Sequence, residues 1–170
     1  HKVNVMFTAP TAIRLLKKSG EGYIKKYDLS NMRALFLAGE PLDRETHRWV
    51  SAALDGPVID NYWQTETGWP ILTNFMAIGP METKFGSPCL PSLGYDIHLV
   101  DNDGKDLPAG EKGSLMIKPP LPPGCMTTVW RRDEAFVETY FSRFEELMYA
   151  SFDAAQTDED GYYFIMGRDD

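Results

Sequence analysis

Thr65 and Glu66 stand at the end of the run Asp60-Asn61-Tyr62-Trp63-Gln64-Thr65-Glu66, directly behind two large aromatic rings. A hydroxyl in this place can bond a phosphate oxygen. A carboxylate there can hold a hard cation, because magnesium prefers carboxylate and phosphate oxygens. The ring of Tyr62 can stack on a base. A second short stretch, Gly39-Glu40-Pro41, closes an earlier apolar run, and glycine there lets the backbone approach a flat ring closely. Each stretch also has a plainer reading. Gly-Glu-Pro serves as a turn, and a Tyr-Trp pair after a strand packs in a core. Their shared position on one sheet edge favours the ligand reading, and residue chemistry alone stops at a nucleotide-type ligand in an α/β crevice.

The elements that must position these residues alternate. Val3 to Ala9 is apolar and partly β-branched, which predicts a buried strand. Pro10 suits the first turn of a helix, Ile13 and Leu16 share one face, and Gly20 stops it. Arg33 to Gly39 is a continuous apolar run of the kind buried on both faces of a parallel sheet. Asp43 is placed to cap the next helix, whose apolar face is Trp49, Val50, Ala53 and Leu54. Asp55-Gly56-Pro57 ends it, and Val58 to Tyr62 reads as the third strand. Strand, helix, strand, helix, strand predicts βαβ units, with both candidate stretches at the carboxyl ends of strands, where open α/β sheets bind ligands.

After about residue 80 the pattern changes. Tyr95, Ile97 and Leu99 alternate with Asp96 and His98, which predicts a half-buried strand. Turns follow at Asp101 to Gly104 and at Pro108 to Gly110, then a strand over Ser114 to Lys118. Four prolines between Pro119 and Pro123 stiffen a connector. Asp133 to Phe144 reads as a short helix with Phe136, Tyr140, Phe141 and Phe144 on one side, and Tyr162 to Gly167 as a last strand. The expected fold class is α/β. Residues 1–80 are the last part of a parallel-sheet, nucleotide-binding subdomain, and residues 85–170 a small antiparallel, barrel-like β subdomain with a helical insertion.

Composition narrows the classes. With 170 residues, 43% hydrophobic and 12% aromatic, the chain can build a core and is not disordered. The net charge of -8, with no basic cluster, argues against nucleic acid as a partner. No apolar run approaches the ~18 residues of a membrane span. Cys89 and Cys125 have no short spacing, and His1, His47 and His98 are scattered, which predicts reduced thiols, no zinc site and a cytoplasmic location. The chain opens directly on a strand-like segment and stops without a closing element, so a piece of a longer protein is expected. Oligomeric state leaves no signal.

Four ordered stretches carry a resemblance: Phe7 to Arg14 (FTAPTAIR), Leu37 to Asp43 (LAGEPLD), Asp60 to Gly68 (DNYWQTETG) and Asp158 to Asp170 (DEDGYYFIMGRDD). Their order resembles that of adenylate-forming acyl-CoA synthetases, in the acetyl- and propionyl-CoA branch. Lys118 to Phe136, with its Leu-Pro-Pro-Gly, is most similar to the propionyl enzymes. The resemblance implies a two-step reaction. A carboxylate attacks the α-phosphate of ATP to give acyl-adenylate and pyrophosphate, and the CoA thiolate then displaces AMP. It implies Mg2+ as cofactor, with CoA and a short-chain carboxylate as substrates. Gly39, Glu40, Pro41, Asp60, Asn61 and Tyr62 would line the adenine site, with Gln64 also in the nucleotide site. Thr65 would contact the α-phosphate, Glu66 would bind magnesium, and Asp153 and Arg168 would hold the ribose hydroxyls. The phosphate loop and the catalytic lysine of the family lie outside these 170 residues, so the chain alone is expected to be inactive.

By the same resemblance Trp63 closes the acyl pocket, leaving room for two or three carbons, and Ala38 gives slightly more room than the valine typical of acetyl enzymes. Propionate is therefore favoured, although a single methylene discriminates by only about 1–3 kcal/mol. Three departures stand out. Ser151-Phe152-Asp153 occupies the place of a Thr-Gly-Asp loop, Ala155-Gln156 that of a Gly-Tyr pair, and Arg168 is followed directly by Asp169 and Asp170 without the family's intervening residue. An acetate-specific synthetase, a peptide-synthetase adenylation domain (opposed by Trp63 and the Leu-Pro-Pro-Gly stretch) and a non-catalytic nucleotide-binding module remain the alternatives.

Overall fold

The computed structural model describes residues 1–54, 56–79 and 81–169. Its first half is a three-stranded parallel sheet, order β1-β2-β3, formed by Val5–Thr8, Ala34–Leu37 and Val58–Asp60. Helices α1 (Pro10–Ser19) and α2 (Arg44–Leu54) connect the strands. Pro10 stands at the start of α1, where its missing N–H costs nothing, and the Gly20 N–H closes the far end on the Leu16 and Lys17 carbonyls. Asp43 caps α2, its Oδ1 accepting from the Thr46 N–H at 2.8 Å. That bond and the Arg14 guanidinium outweigh the opposing effect of burial and hold the Asp43 carboxyl at about 2. The expected βαβ order is thus present.

Burial corrects three details. β1 forms but is not buried, with Val5 50% and Phe7 60% exposed, whereas Leu37 of β2 is fully buried. Apolar composition marked both as core strands, but β1 is at the sheet's edge and β2 at its centre. Leu16 does not share the buried face of Ile13. The buried face of α2 is Thr46, His47 and Val50, with Trp49 and Leu54 only partly covered. His47 is tolerated inside because its Nε2–H donates to the Val58 carbonyl at 3.0 Å, and burial lowers its pKa, keeping the ring neutral. Asp55, expected at the end of α2, lies outside the described residues.

The second half is antiparallel. A two-stranded ribbon pairs β4 (Leu72–Thr73) with β5 (Leu90–Pro91). A four-stranded sheet follows in the order β6 (Asp96–Val100), β7 (Gly113–Lys118), β8 (Tyr149–Thr157), β9 (Tyr163–Arg168), with α3 (Asp133–Phe141) against β8. The alternation in β6 and the turns around it match expectation. β8 does not: Ser151 to Asp153, expected as a loop, lies inside the longest strand of the molecule. Its buried residues include Ala150, Ser151, Ala154 and Ala155, which have none of the β-branched character that marks a strand in sequence. Phe136, Tyr140 and Phe141 share one face of α3, but the helix ends at Phe141, and Phe144, expected on the same face, packs instead against the Val100, Met116, Met148 and Ala150 cluster. The Tyr140 ring lies parallel to Tyr149 at 5.3 Å, and Phe141 meets the same ring edge-on at 5.8 Å.

Among the contacts that join the halves, Tyr62 bridges to Leu72 and the Gly86 N–H reaches His47 Nδ1 at 3.5 Å. Within the second half, Lys84 pairs with Asp158 and Asp160 at 2.6 and 2.5 Å. The last pair locks the segment after β4 to the β8–β9 turn.

Candidate functional site

The carboxyl ends of β2 and β3 face β8 and β9 across a cavity of about 310 Å³. That lies at the lower end of the roughly 300–1,000 Å³ typical of small-molecule sites. One wall is Gly39, Glu40, Pro41 and the run Asp60 to Trp63, and the opposite wall includes Asp153, Gly167 and Arg168. Gly86 and Pro88, on the segment anchored by His47 and Lys84, add a third side that sequence reasoning missed. A second cavity of about 650 Å³ adjoins it, lined by Gln64, Thr65, Glu66, Tyr140 and Phe152 among others. Gly39, Trp63, Asp153 and Arg168 line both. Trp63, 41% exposed, therefore stands at the junction of the two spaces.

Most of the predicted residues are brought together, but several do more than line a wall. Glu40 is bound to α1: Arg14 Nη1 lies 2.7 Å from its Oε2, and the Thr11 N–H donates to Oε1 at 2.7 Å. These bonds, that of the Thr11 hydroxyl first, lower the Glu40 pKa. Arg14 also reaches the Pro41 carbonyl at 2.8 Å and Asp43 at 3.0 Å, so one guanidinium shapes the whole Gly-Glu-Pro turn. The Asn61 amide donates to the Leu37 and Ile59 carbonyls and accepts from Thr73, which makes it a bracket between strands. Ala38 is buried and lines neither cavity. It directly follows Leu37, the last residue of β2.

Asp60 is 6% exposed, and burial pushes its carboxyl up to about 7 despite backbone bonds from Leu42 and Asn61. Beside it, Tyr62 donates its hydroxyl to Asp153 Oδ2 at 2.6 Å. Burial, reinforced by the Asp153 charge, raises the Tyr62 pKa, so it stays a fixed donor. Gln64 completes the arrangement, with Nε2 donating to the Ser151 carbonyl at 2.6 Å and to Asp153 Oδ2 at 2.9 Å. Its Oε1 accepts from the Tyr149 hydroxyl at 2.9 Å. Asp153 is thereby held by one oxygen, while Oδ1 faces Arg168 Nη1 at 4.0 Å.

The Thr65–Glu66 loop is fixed by the proline-rich connector. The Met126 N–H donates to the Glu66 carbonyl at 2.6 Å. Gly68 has φ 72°, and a Cβ on it would meet the Gly124 carbonyl at 2.7 Å, so only glycine permits this approach. Thr65 is exposed in the second cavity, and Glu66 Oε1 accepts from the Tyr140 hydroxyl at 2.9 Å. Sequence reasoning placed Tyr140 only on the aromatic face of α3. Its link to Glu66 spans 74 positions and leaves no local signal. No group of three or more His, Cys, Asp or Glu side chains that could hold a metal occurs among the described residues. Glu66 and Asp153 are the carboxylates that line the second cavity, too few for an all-protein cage and suited to a hard cation held mainly by a bound phosphate. After Arg168, Asp169 turns to Ser114 and to Arg143 at 2.8 Å, and Asp170 lies outside the described residues. No described helix is long and apolar enough to cross a membrane.

The chain is similar to known proteins in sequence and in fold. The profile of the family described as AMP-binding enzyme matches residues 1–130. Propionate--CoA ligase of Escherichia coli (strain K12) is 50% identical over 171 aligned positions, covering 100% of this chain and 27% of that protein. Acetyl-coenzyme A synthetase of Chromobacterium violaceum is 41% identical, over 100% of this chain and 26% of the relative. In structure, the anthranilate CoA ligase AuaEII in complex with anthranoyl-AMP superposes with a TM-score of 0.78 at 26% identity, covering 99% of this chain and 30% of that one. The chain thus spans about a quarter of the length of the curated relatives it matches, at 27% and 26%.

Proposed function

Because the chain belongs to the AMP-binding enzyme family, we propose that it is the nucleotide- and acyl-binding part of a longer, cytoplasmic ligase that activates a short-chain carboxylate, propionate in preference to acetate. The ligase joins the acid to ATP as an acyl-adenylate, releases pyrophosphate, and passes the acyl group to the CoA thiol. Residues 1–80 serve as the adenine-side subdomain and residues 85–170 as the β subdomain leading to the rest of the enzyme. The observation that carries the reading is the convergence of Gly39 to Pro41, Asp60 to Trp63, Asp153 and Arg168 on one cavity, with Thr65 and Glu66 in the space beside it.

In this reading the adenine lies against the Gly39–Pro41 turn and Tyr62. The ribose hydroxyls meet Asp153 and Arg168. Tyr62 and Gln64 hold Asp153 Oδ2 and so orient its other oxygen. The phosphates extend toward Thr65, whose exposed hydroxyl donates to the α-phosphate. Magnesium, when bound through Glu66 and the phosphates, supplies positive charge against the charge developing on phosphate oxygens. The work of the site is orientation and charge neutralisation more than proton removal, since the attacking carboxylate is already an anion. Trp63, at the junction of the two cavities, limits the acyl chain.

The test is carboxylate-dependent ATP–pyrophosphate exchange by the full-length enzyme, with acetate, propionate and butyrate compared. Strongest exchange with propionate is the expected result. Strongest exchange with acetate keeps the mechanism and removes the pocket argument. No exchange with any short acid leaves a nucleotide-binding module without the chemistry.

A further inference from the structure

Phe152 adopts φ 60° in the middle of β8. For a bulky residue this left-handed conformation is an outlier, and glycine would take it without steric cost. It interrupts a strand whose register against β9 shifts just beyond, between Ala154 and Ala155. The kink is bound in place: the Asp169 N–H donates to the Phe152 carbonyl at 2.9 Å. A strained backbone held this firmly beside a cavity marks a side chain with a task.

The ring lines the second cavity. The Arg168 guanidinium lies over it, 5.6 Å from its centroid, and Tyr140 meets it edge-on at 6.0 Å. The same Arg168 faces Asp153 at 4.0 Å, and Arg168 is more than half exposed. A long, solvated side chain at the edge of a site has many rotamers, and an aromatic face selects among them.

We propose that Phe152 is a positioning residue: its ring is a shelf that holds the Arg168 guanidinium beside Asp153, so that the pair meets the hydroxyls of a bound ribose together. The inference rests on the reading of Asp153 and Arg168 as ribose contacts. It assigns a purpose to the residue that replaces a glycine of the related loop.

The experiment measures the affinity of the full-length polypeptide for AMP and for dideoxy-AMP, which lacks both ribose hydroxyls. Wild type, Phe152→Leu and Phe152→Tyr are compared, with thermal denaturation alongside. Phe152→Gly, which suits the backbone, replaces the leucine variant if that one does not fold. The expected result is that ring removal weakens AMP by about two- to fivefold, the range of a partly exposed cation–π contact, and leaves dideoxy-AMP unchanged. Phe152→Tyr keeps wild-type preference. Equal weakening of both ligands shows a merely structural role and overturns the proposal, as does an unchanged preference in Phe152→Leu or a lost one in Phe152→Tyr. A wild type that does not prefer AMP removes the ribose reading, and the inference with it.

Discussion

The parallel sheet and the antiparallel sheet contribute to the cavity in different ways. From β2 and β3 come walls whose polar side chains are largely held by the scaffold: Glu40 by Arg14 and Thr11, Asn61 by strand carbonyls. From β8 and α3 come the groups that orient charge in the space: Asp153 of β8, anchored at Oδ2 by Tyr62 and Gln64, and Tyr140 of α3, which holds Glu66 of the loop after β3. The strand ends of the parallel sheet supply shape, and the contacts with β8 and α3 supply oriented charge. A conspicuous acidic residue in a candidate motif is therefore not by itself a ligand contact, and a carboxylate with one oxygen anchored is a better candidate than one with both engaged.

The largest expected effect tests the oriented-charge side. Glu66→Gln keeps an acceptor for Tyr140 but removes the charge. ATP–pyrophosphate exchange by the full-length enzyme should fall by about 10²-fold or more, the scale of deleting one electrostatic contact in a transition state, with little change in Tm. A Tm loss that accounts for the activity loss would place Glu66 with Glu40 as scaffold.

Next comes the junction between the regions. Trp63→Gly opens the wall shared by both cavities. The preference for propionate over butyrate in the exchange assay should drop by about tenfold or more, since one methylene in a pocket is worth about 10–200-fold. An unchanged ratio would remove Trp63 from the acyl wall.

Asp60 tests the shape side through pH. The unfolded chain loses this proton near the ordinary carboxyl value of about 3.9, whereas the folded protein keeps it up to about 7. The neutral form thus favours the fold. Its contribution is fully present below the unfolded value, declines as pH rises toward about 7, and is gone above it. Asp60→Asn should lack this decline, so its urea midpoint should exceed that of wild type most clearly at pH 8 and least at pH 4. Parallel profiles for the two proteins would mean that Asp60 is not held neutral by the wall.

The smallest effect concerns the Arg14 clamp. Arg14→Ala removes partners from Glu40, Asp43 and Pro41, all near the surface, so a stability loss of about 1 kcal/mol is expected in denaturant titration. AMP affinity should weaken only slightly. A loss of nucleotide binding comparable to that from Glu66→Gln would erase the distinction between the two regions.

How much could be read in advance follows the same division. Pro10, the Asp43 cap and the apolar run of β2 act on residues next to them, so the βαβ order and the strand ends were legible. Helix caps and hydrophobic periodicity are local, and they sufficed to bring Gly39 to Pro41 and Asp60 to Trp63 to one edge. The strand around Asp153 was not legible, because Ala150, Ser151, Ala154 and Ala155 have no strand signature of their own and are strand only through pairing with β7 and β9. Ala38, expected at the acyl pocket, is buried just beyond β2 and lines neither cavity.

By itself the sequence determined that the chain is α/β, that its candidate residues follow strands, and that aromatic, hydroxyl and carboxylate groups suited to a nucleotide and a cation stand together. Tertiary structure alone decided which of those groups are oriented and by what. Tyr62 meets Asp153 across 91 positions, Tyr149 meets Gln64 across 85, and Tyr140 meets Glu66 across 74. Such contacts form only when separate elements pack, and no periodicity within one element encodes a partner in another.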